Sequence, residues 1–171
     1  MIDNGDGTQN YKVTVEIKDG GISFIRVTDN GCGIPKVQVP IAFLRHSTSK
    51  IRSALDLMTV SSLGFRGEAL SSISAVSMVE LLTKTKESIC GIRYVIEGGQ
   101  EKAFEEAASP DGTTFFVRNL FYNTPVRYKF LKKDFTEAGY IEDVVTRIAL
   151  VNKDIAIKLI SNGKTVVQTN G

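Results

Sequence analysis

From Lys12 to Ile17 the chain alternates, with Val13, Val15 and Ile17 on one side and Thr14 and Glu16 on the other. Successive strand side chains point to opposite faces, so this pattern predicts a half-buried strand. Asp19-Gly20-Gly21 predicts a turn, and Ile22 to Thr28 predicts a second strand that closes a hairpin. Ile25, Val27 and Asp29 share one face of it, which puts a carboxylate on the core side at the strand's end. A carboxylate there needs a partner, because desolvation without one is costly. Beyond Pro35, a short helix is expected at Pro40, carrying Ile41, Phe43 and Leu44. Ser53 to Met58 predicts a helical turn, and small residues without a period fill Thr59 to Gly64.

A further helix opens near Gly67 or Glu68, with Leu70, Ile73 and Ser74 at helical spacing. Val76 to Leu82 predicts a strand, and Gly91 to Glu97 with Lys102 to Ala107 a hairpin about Gly98-Gly99. Asp111-Gly112 is a turn, and Thr113 to Val117 is rich in β-branched and aromatic residues, hence a strand. Thr124 is placed as N-cap and Pro125 as first residue of a basic helix bearing Val126, Phe130 and Leu131. A longer helix from about Asp134 to Leu150 carries one stripe of Ile141, Val144, Val145, Ile148 and Ala149. The end is a hairpin turning at Asn162-Gly163. So many hairpins in mixed order favour an α+β fold over a parallel βαβ one. Residues 1–11 are expected to be a polar tail and residues 12–171 one domain.

Composition changes little. A chain of 171 residues with 42% apolar and 23% charged residues can bury a core. A net charge of +2 is too small to argue for nucleic acid on charge alone. No apolar run is long enough to span a membrane, and the N-terminus lacks the basic start and apolar centre of a signal peptide. Cys32 and Cys90 match no metal spacing and are expected to be free thiols in a reducing cytosol. The single histidine, His46, supports neither a Ser-His-Asp nor a metal cluster.

Candidate chemistry gathers in short stretches. Asp29-Asn30-Gly31-Cys32-Gly33-Ile34 could present a carboxylate to an exocyclic amine such as that of adenine, with Gly31 and Gly33 admitting a flat base. A common turn at a strand end accounts for the same residues. Gly64-Phe65-Arg66-Gly67-Glu68-Ala69-Leu70 leads into a helix, where exposed N–H groups and the helix dipole favour an anion. Thr48, Ser49 and Lys50 could donate to phosphate oxygens, or form a polar surface loop. Gly112-Thr113 at a strand start could set a hydroxyl near the same phosphates, and turn chemistry explains the pair nearly as well. Gly163-Lys164-Thr165 resembles the tail of a P-loop, but Lys158 stands where that motif needs glycine. Arg127, Lys129, Lys132 and Lys133 could meet phosphate, or be a solvated face.

Asp29 through Ile34, Thr48 through Ile51, Gly64 through Leu70, and Gly112-Thr113 through Leu131 together closely resemble the MutL family of mismatch repair proteins. The wider group is the ATPase superfamily of gyrase B, a large heat-shock chaperone and sensor histidine kinases. The resemblance implies a two-layer α/β sandwich with a mixed, mostly antiparallel sheet (the Bergerat-type ATP-binding fold), binding ATP with Mg2+. It implies that Asp29 binds the adenine amino group, with Gly31 and Gly33 at the base pocket and Thr113 in support. Thr48, Ser49 and Lys50 would contact phosphates, and Gly64, Phe65, Arg66, Gly67, Glu68, Ala69 and Leu70 would belong to a lid over them. It further implies ATP hydrolysis, a nucleotide-dependent homodimer of the full-length protein, partners in DNA and a MutS-type mismatch-recognition protein, and a bacterial cytoplasmic setting without membrane. Family members carry a glutamate general base and a magnesium-binding asparagine on a helix before the first strand. No glutamate precedes Lys12, so no catalytic residue and no metal ligand is assigned here, and weak or absent hydrolysis is expected of the chain. The second lobe of the family is also expected to be missing. The rival reading is a nucleotide-independent interaction or DNA-binding module built on this fold.

Overall fold

The computed structural model describes residues 2–3, 9–45 and 68–171. In chain order the elements are β1 (Ile2–Asp3), β2 (Gln9–Lys18), β3 (Phe24–Asp29), α1 (Val39–Ala42), α2 (Ala69–Ala75), β4 (Met78–Lys84), β5 (Gly91–Glu97), β6 (Gln100–Ala107), β7 (Gly112–Arg118), α3 (Pro125–Lys129), α4 (Asp134–Val151), β8 (Ile155–Ser161) and β9 (Lys164–Gln168). The sheet runs β6-β5-β4-β7-β3-β2-β8-β9, with β1 paired to the start of β2. Only the pairing of β2 with β8 is parallel among these strands. The architecture is α+β, as the hairpin-rich order predicts.

Register makes one face continuous. Val15 stands opposite Val27, Val27 opposite Phe115, and Phe115 opposite Leu81. Directly opposed residues share a face, so an apolar band crosses four strands. At one end Val39 and Phe43 near α1 and Leu70 of α2 pack with Leu81, Tyr94 and Phe115. The Tyr94 ring lies 5.1 Å from that of Phe43. Burial and a hydrogen bond to Glu101 push its phenol up to about 12. At the other end Val145 and Ala149 of α4 pack on Ile157 and Leu159. Two helical clusters on one sheet face make a two-layer sandwich.

Three expectations change. The polar stretch taken as a tail over residues 1–11 contributes β1 and the start of β2, which begins at Gln9. Backbone pairing holds it: Tyr11 is in register with Ile155, and the Asn30 side chain bridges the strand by accepting from Lys12 N–H at 2.7 Å and donating to Asn10 O at 2.9 Å. The α4 stripe is narrower than predicted, because Val144 and Ile148 are exposed while Ile141, Val145 and Ala149 face the sheet. Thr124 is the N-cap of α3 but makes no capping bond, and its buried Oγ1 has no hydrogen-bond partner among the described residues. The turn read at Ser53 to Met58 lies outside the described residues.

The opposite sheet face carries charge pairs. Glu80 accepts from Arg93 Nε at 2.6 Å and Arg118 Nη1 at 3.0 Å, and Arg93 also reaches Glu105 at 2.7 Å. The Arg118 guanidinium lies 5.0 Å from the Phe116 ring centre. Partial burial pushes the Glu80 pKa up, but hydrogen bonds and charges from Arg93 and Arg118 outweigh it and hold it below the ordinary value. A depressed folded-state pKa adds stability above the unfolded carboxyl value of about 4.3 and loses it as pH falls through the folded one. Glu80→Gln is therefore expected to lower stability by about 1 kcal/mol at pH 7. In urea melts the gap from the parent closes in acid, and an equal gap at pH 7 and pH 3 would contradict the pairing.

Candidate functional site

Alternation sets Thr83 on the covered face of β4, continuing Val79 and Leu81, where it is fully buried. Its Oγ1 accepts the Ile34 N–H at 2.8 Å, donates to Gly112 O at 3.1 Å and lies 3.1 Å from Thr113 Oγ1. A hydroxyl has one proton, so with that proton on Gly112 O the Thr113 hydroxyl donates to Thr83. One side chain thus ties the ends of β4 and β7 to the loop after β3. Thr83 is absent from the sequence-derived candidates because β4 was expected to stop at Leu82. The signal that could have found it is the Val79, Leu81, Thr83 alternation itself.

The loop after β3 lies flat on the end of β4. Gly33 has φ +71°, and a Cβ there would stand 2.1 Å from the Lys84 carbonyl oxygen. Gly112, with φ +104°, would place a Cβ 2.3 Å from the Asp29 carbonyl oxygen. No L side chain fits such approaches in the left-handed region. A Cβ on Gly31 would point at Asp29 Oδ1, 2.9 Å away. The direction a side chain would take at Gly31 and Gly33 is therefore occupied by the protein's own atoms.

Asp29 ends β3, in register with Val13 on one side and Thr113 on the other. Its Oδ1 accepts the Gly31 N–H at 2.8 Å, an Asx-type turn that holds the carboxylate in place. Its Oδ2 has no hydrogen-bond partner among the described residues. Next to it, Asn30 fastens the chain to β2 through the bonds given above. Asp29, Gly31, Gly33 and Thr113 are thus brought to one corner of the covered face.

Leu70 packs on the same core cluster as Ile34, so α2 and the Asp29 loop lean on common side chains. Glu68 and Ala69 are exposed at the start of α2. Lys84 and Asp111 form an ion pair at 2.8 Å beside the Gly33 loop. Thr48, Ser49, Lys50, Gly64, Phe65, Arg66 and Gly67 lie outside the described residues.

Comparison with known proteins bears on this corner. No family model matches the chain. The DNA mismatch repair protein MutL of Agathobacter rectalis is 60% identical over 171 residues, all of this chain and 26% of that protein. MutL of Caldanaerobacter subterraneus subsp. tengcongensis is 45% identical over the whole chain and 29% of its own length. A solved structure described as the Aquifex aeolicus MutL ATPase domain complexed with ADP superposes with a TM-score of 0.71 at 32% identity, covering 93% of this chain and 55% of that one. The chain belongs to the MutL family. It spans about a quarter of the length of these two curated MutL relatives. Its sheet and helices match those of the solved MutL ATPase domains, so the Asp29 corner sits in a MutL-type scaffold.

Packing at this corner is open to test by thermal and urea melts. Gly33→Ala is expected to cost about 3 kcal/mol or more, from backbone overlap and a left-handed φ. Thr83→Val is expected to cost about 2 kcal/mol, because it leaves the Ile34 N–H and Gly112 O buried without their partner. Gly139→Ala in α4, where a Cβ meets nothing within 4 Å, is expected to add about 0.5–1 kcal/mol.

Proposed function

We propose that this MutL-family chain binds adenine nucleotide at the Asp29 corner and serves as the nucleotide-controlled part of a DNA mismatch repair ATPase. The observation that carries the reading is Asp29 itself: one oxygen is fixed by the Gly31 N–H and the other is unpaired among the described residues. A carboxylate so held is a preorganised acceptor for an exocyclic amine, which is how adenine differs from guanine on that edge. Thr113, held by Thr83, supports the same end of the pocket. The ADP complex of the Aquifex domain supports nucleotide as the ligand class.

In this proposal Thr48, Ser49 and Lys50, with the backbone from Gly64, Phe65, Arg66 and Gly67 to Glu68, Ala69 and Leu70, receive the phosphates. A bound ATP with Mg2+ supplies the phosphoanhydride that water cleaves. Magnesium is commonly held largely through nucleotide phosphates, so the phosphates would carry much of its coordination. No residue of this chain is assigned as general base. Nucleotide binding would bias the N-terminal regions of the longer protein toward a dimer and so signal to a MutS-type partner and DNA in a bacterial cytoplasm.

A second reading, a nucleotide-independent DNA-binding module, draws on the exposed Tyr128 and Phe130 beside Arg127, Lys129, Lys132 and Lys133. Calorimetric titration with ATP and ADP, with and without magnesium, separates the two. Saturable binding is expected, with a loss of about tenfold or more in Asp29→Asn as the charged acceptor is removed. Absence of saturable binding, together with DNA affinity that falls steeply with salt, would favour the second reading.

A further inference from the structure

The last carbonyl groups of a helix have no partner within it. At the end of α2 each carbonyl from Ile73 to Ser77 nevertheless meets a donor. Val76 N–H and Ser77 Oγ–H serve Ile73 O at 3.1 and 2.6 Å. Gly99 N–H serves Ser74 O at 2.8 Å, and Gly98 N–H serves Ser77 O at 3.2 Å. Asn123 Nδ2 donates to Ala75 O at 2.9 Å, and Phe121 N–H to Val76 O at 2.7 Å. Two donors therefore come from the β5–β6 turn and two from the turn after β7.

That second turn is strained. Asn119 has φ +54° and Phe121 φ +64°. A bulky aromatic residue rarely adopts this region, and such an outlier persists only where its surroundings impose it. Here the turn is also fastened behind, by Asn119 N–H to Ser23 O at 3.1 Å and Leu120 N–H to Ile22 O at 2.9 Å. It bridges the β2–β3 connection to the end of α2. At the other end of α2, Leu70 shares a core with Ile34, which follows the Asp29 loop.

We propose that the 119–124 turn is an anchor for α2 and that Asn123 is a positioning residue for the nucleotide site. It holds the helix so that Leu70 stays on the core that also seats the loop after Asp29. This rests on the nucleotide reading above.

The test compares variants of the 171-residue chain. Asn123→Asp keeps the shape but replaces the donor with a carboxylate facing the Ala75 carbonyl. The side chain is exposed, so the fold is expected to survive, and Asn123→Ala serves as a second variant of the same reading. Asn162→Ala is the control: its Oδ1 accepts the Asp19 N–H at 3.1 Å, in the turn before β9. Amide hydrogen exchange at Ser72 and Val76 is expected to speed up about tenfold in Asn123→Asp, with β8 and β9 unchanged. The Kd for ADP is expected to rise about five- to tenfold, as for loss of one hydrogen bond. Asn123→Gln, which retains an amide donor, should recover most of the affinity, and Asn162→Ala should leave it unchanged. Faster exchange with unaltered ADP affinity overturns the positioning role, and unaltered exchange overturns the anchor. If the parent chain binds no ADP, the nucleotide reading and the positioning role fail together, and exchange alone then judges the anchor.

Discussion

The hydroxyl of Thr83 holds three segments at one buried point. The amide of Ile34, the carbonyl of Gly112 and the hydroxyl of Thr113 all converge on it. Each of these groups would cost about 1–3 kcal/mol if buried without a partner, so the loop after β3 cannot lift from the sheet without losing several bonds. The Asp29 carboxylate depends on that arrangement. Its own turn is closed by Gly31, but the direction of the turn is set by Gly33 lying on Lys84 and by Gly112 lying on Asp29.

The two sheet faces divide the labour. On the covered face, opposed apolar residues continue across four strands and seat helices at both ends. On the other, Glu80 links Arg93 and Arg118 across β4, β5 and β7. The apolar face supplies the larger driving force, while the charge pairs mainly favour one register over its neighbours. Helix α2 joins the corner to the scaffold: Leu70 enters the core beside Ile34 at one end, and the turn after β7 donates to its carbonyls at the other.

Much of this was legible along the chain. Period-two alternation located β2 and β3, and the turns at Gly98-Gly99 and Asn162-Gly163 have the positive φ values that their residues favour. The β2 extension was not legible, because residues 9–11 are held by backbone pairing and by Asn30 rather than through an apolar pattern. The full stripe of α4 was overread, since sequence period marks every apolar residue within an arc but not where the sheet touches it. Thr83 escaped for the converse reason: alternation from Val79 and Leu81 reaches it, but a polar residue there reads as the strand's end until its partners are known.

The order of residues alone determined the α+β class, the hairpins, the placement of Asp29 at a strand end and the resemblance to MutL proteins, since these rest on local periodicity, turn chemistry and short motifs. Tertiary structure decided which atoms pack against the glycines of the Asp29 loop, which hydroxyl orders the corner, and that the 119–124 turn reaches the end of α2. Those facts depend on contacts between residues tens of positions apart, such as Ile34 with Thr83 and Ala75 with Asn123, and no local pattern encodes such distances.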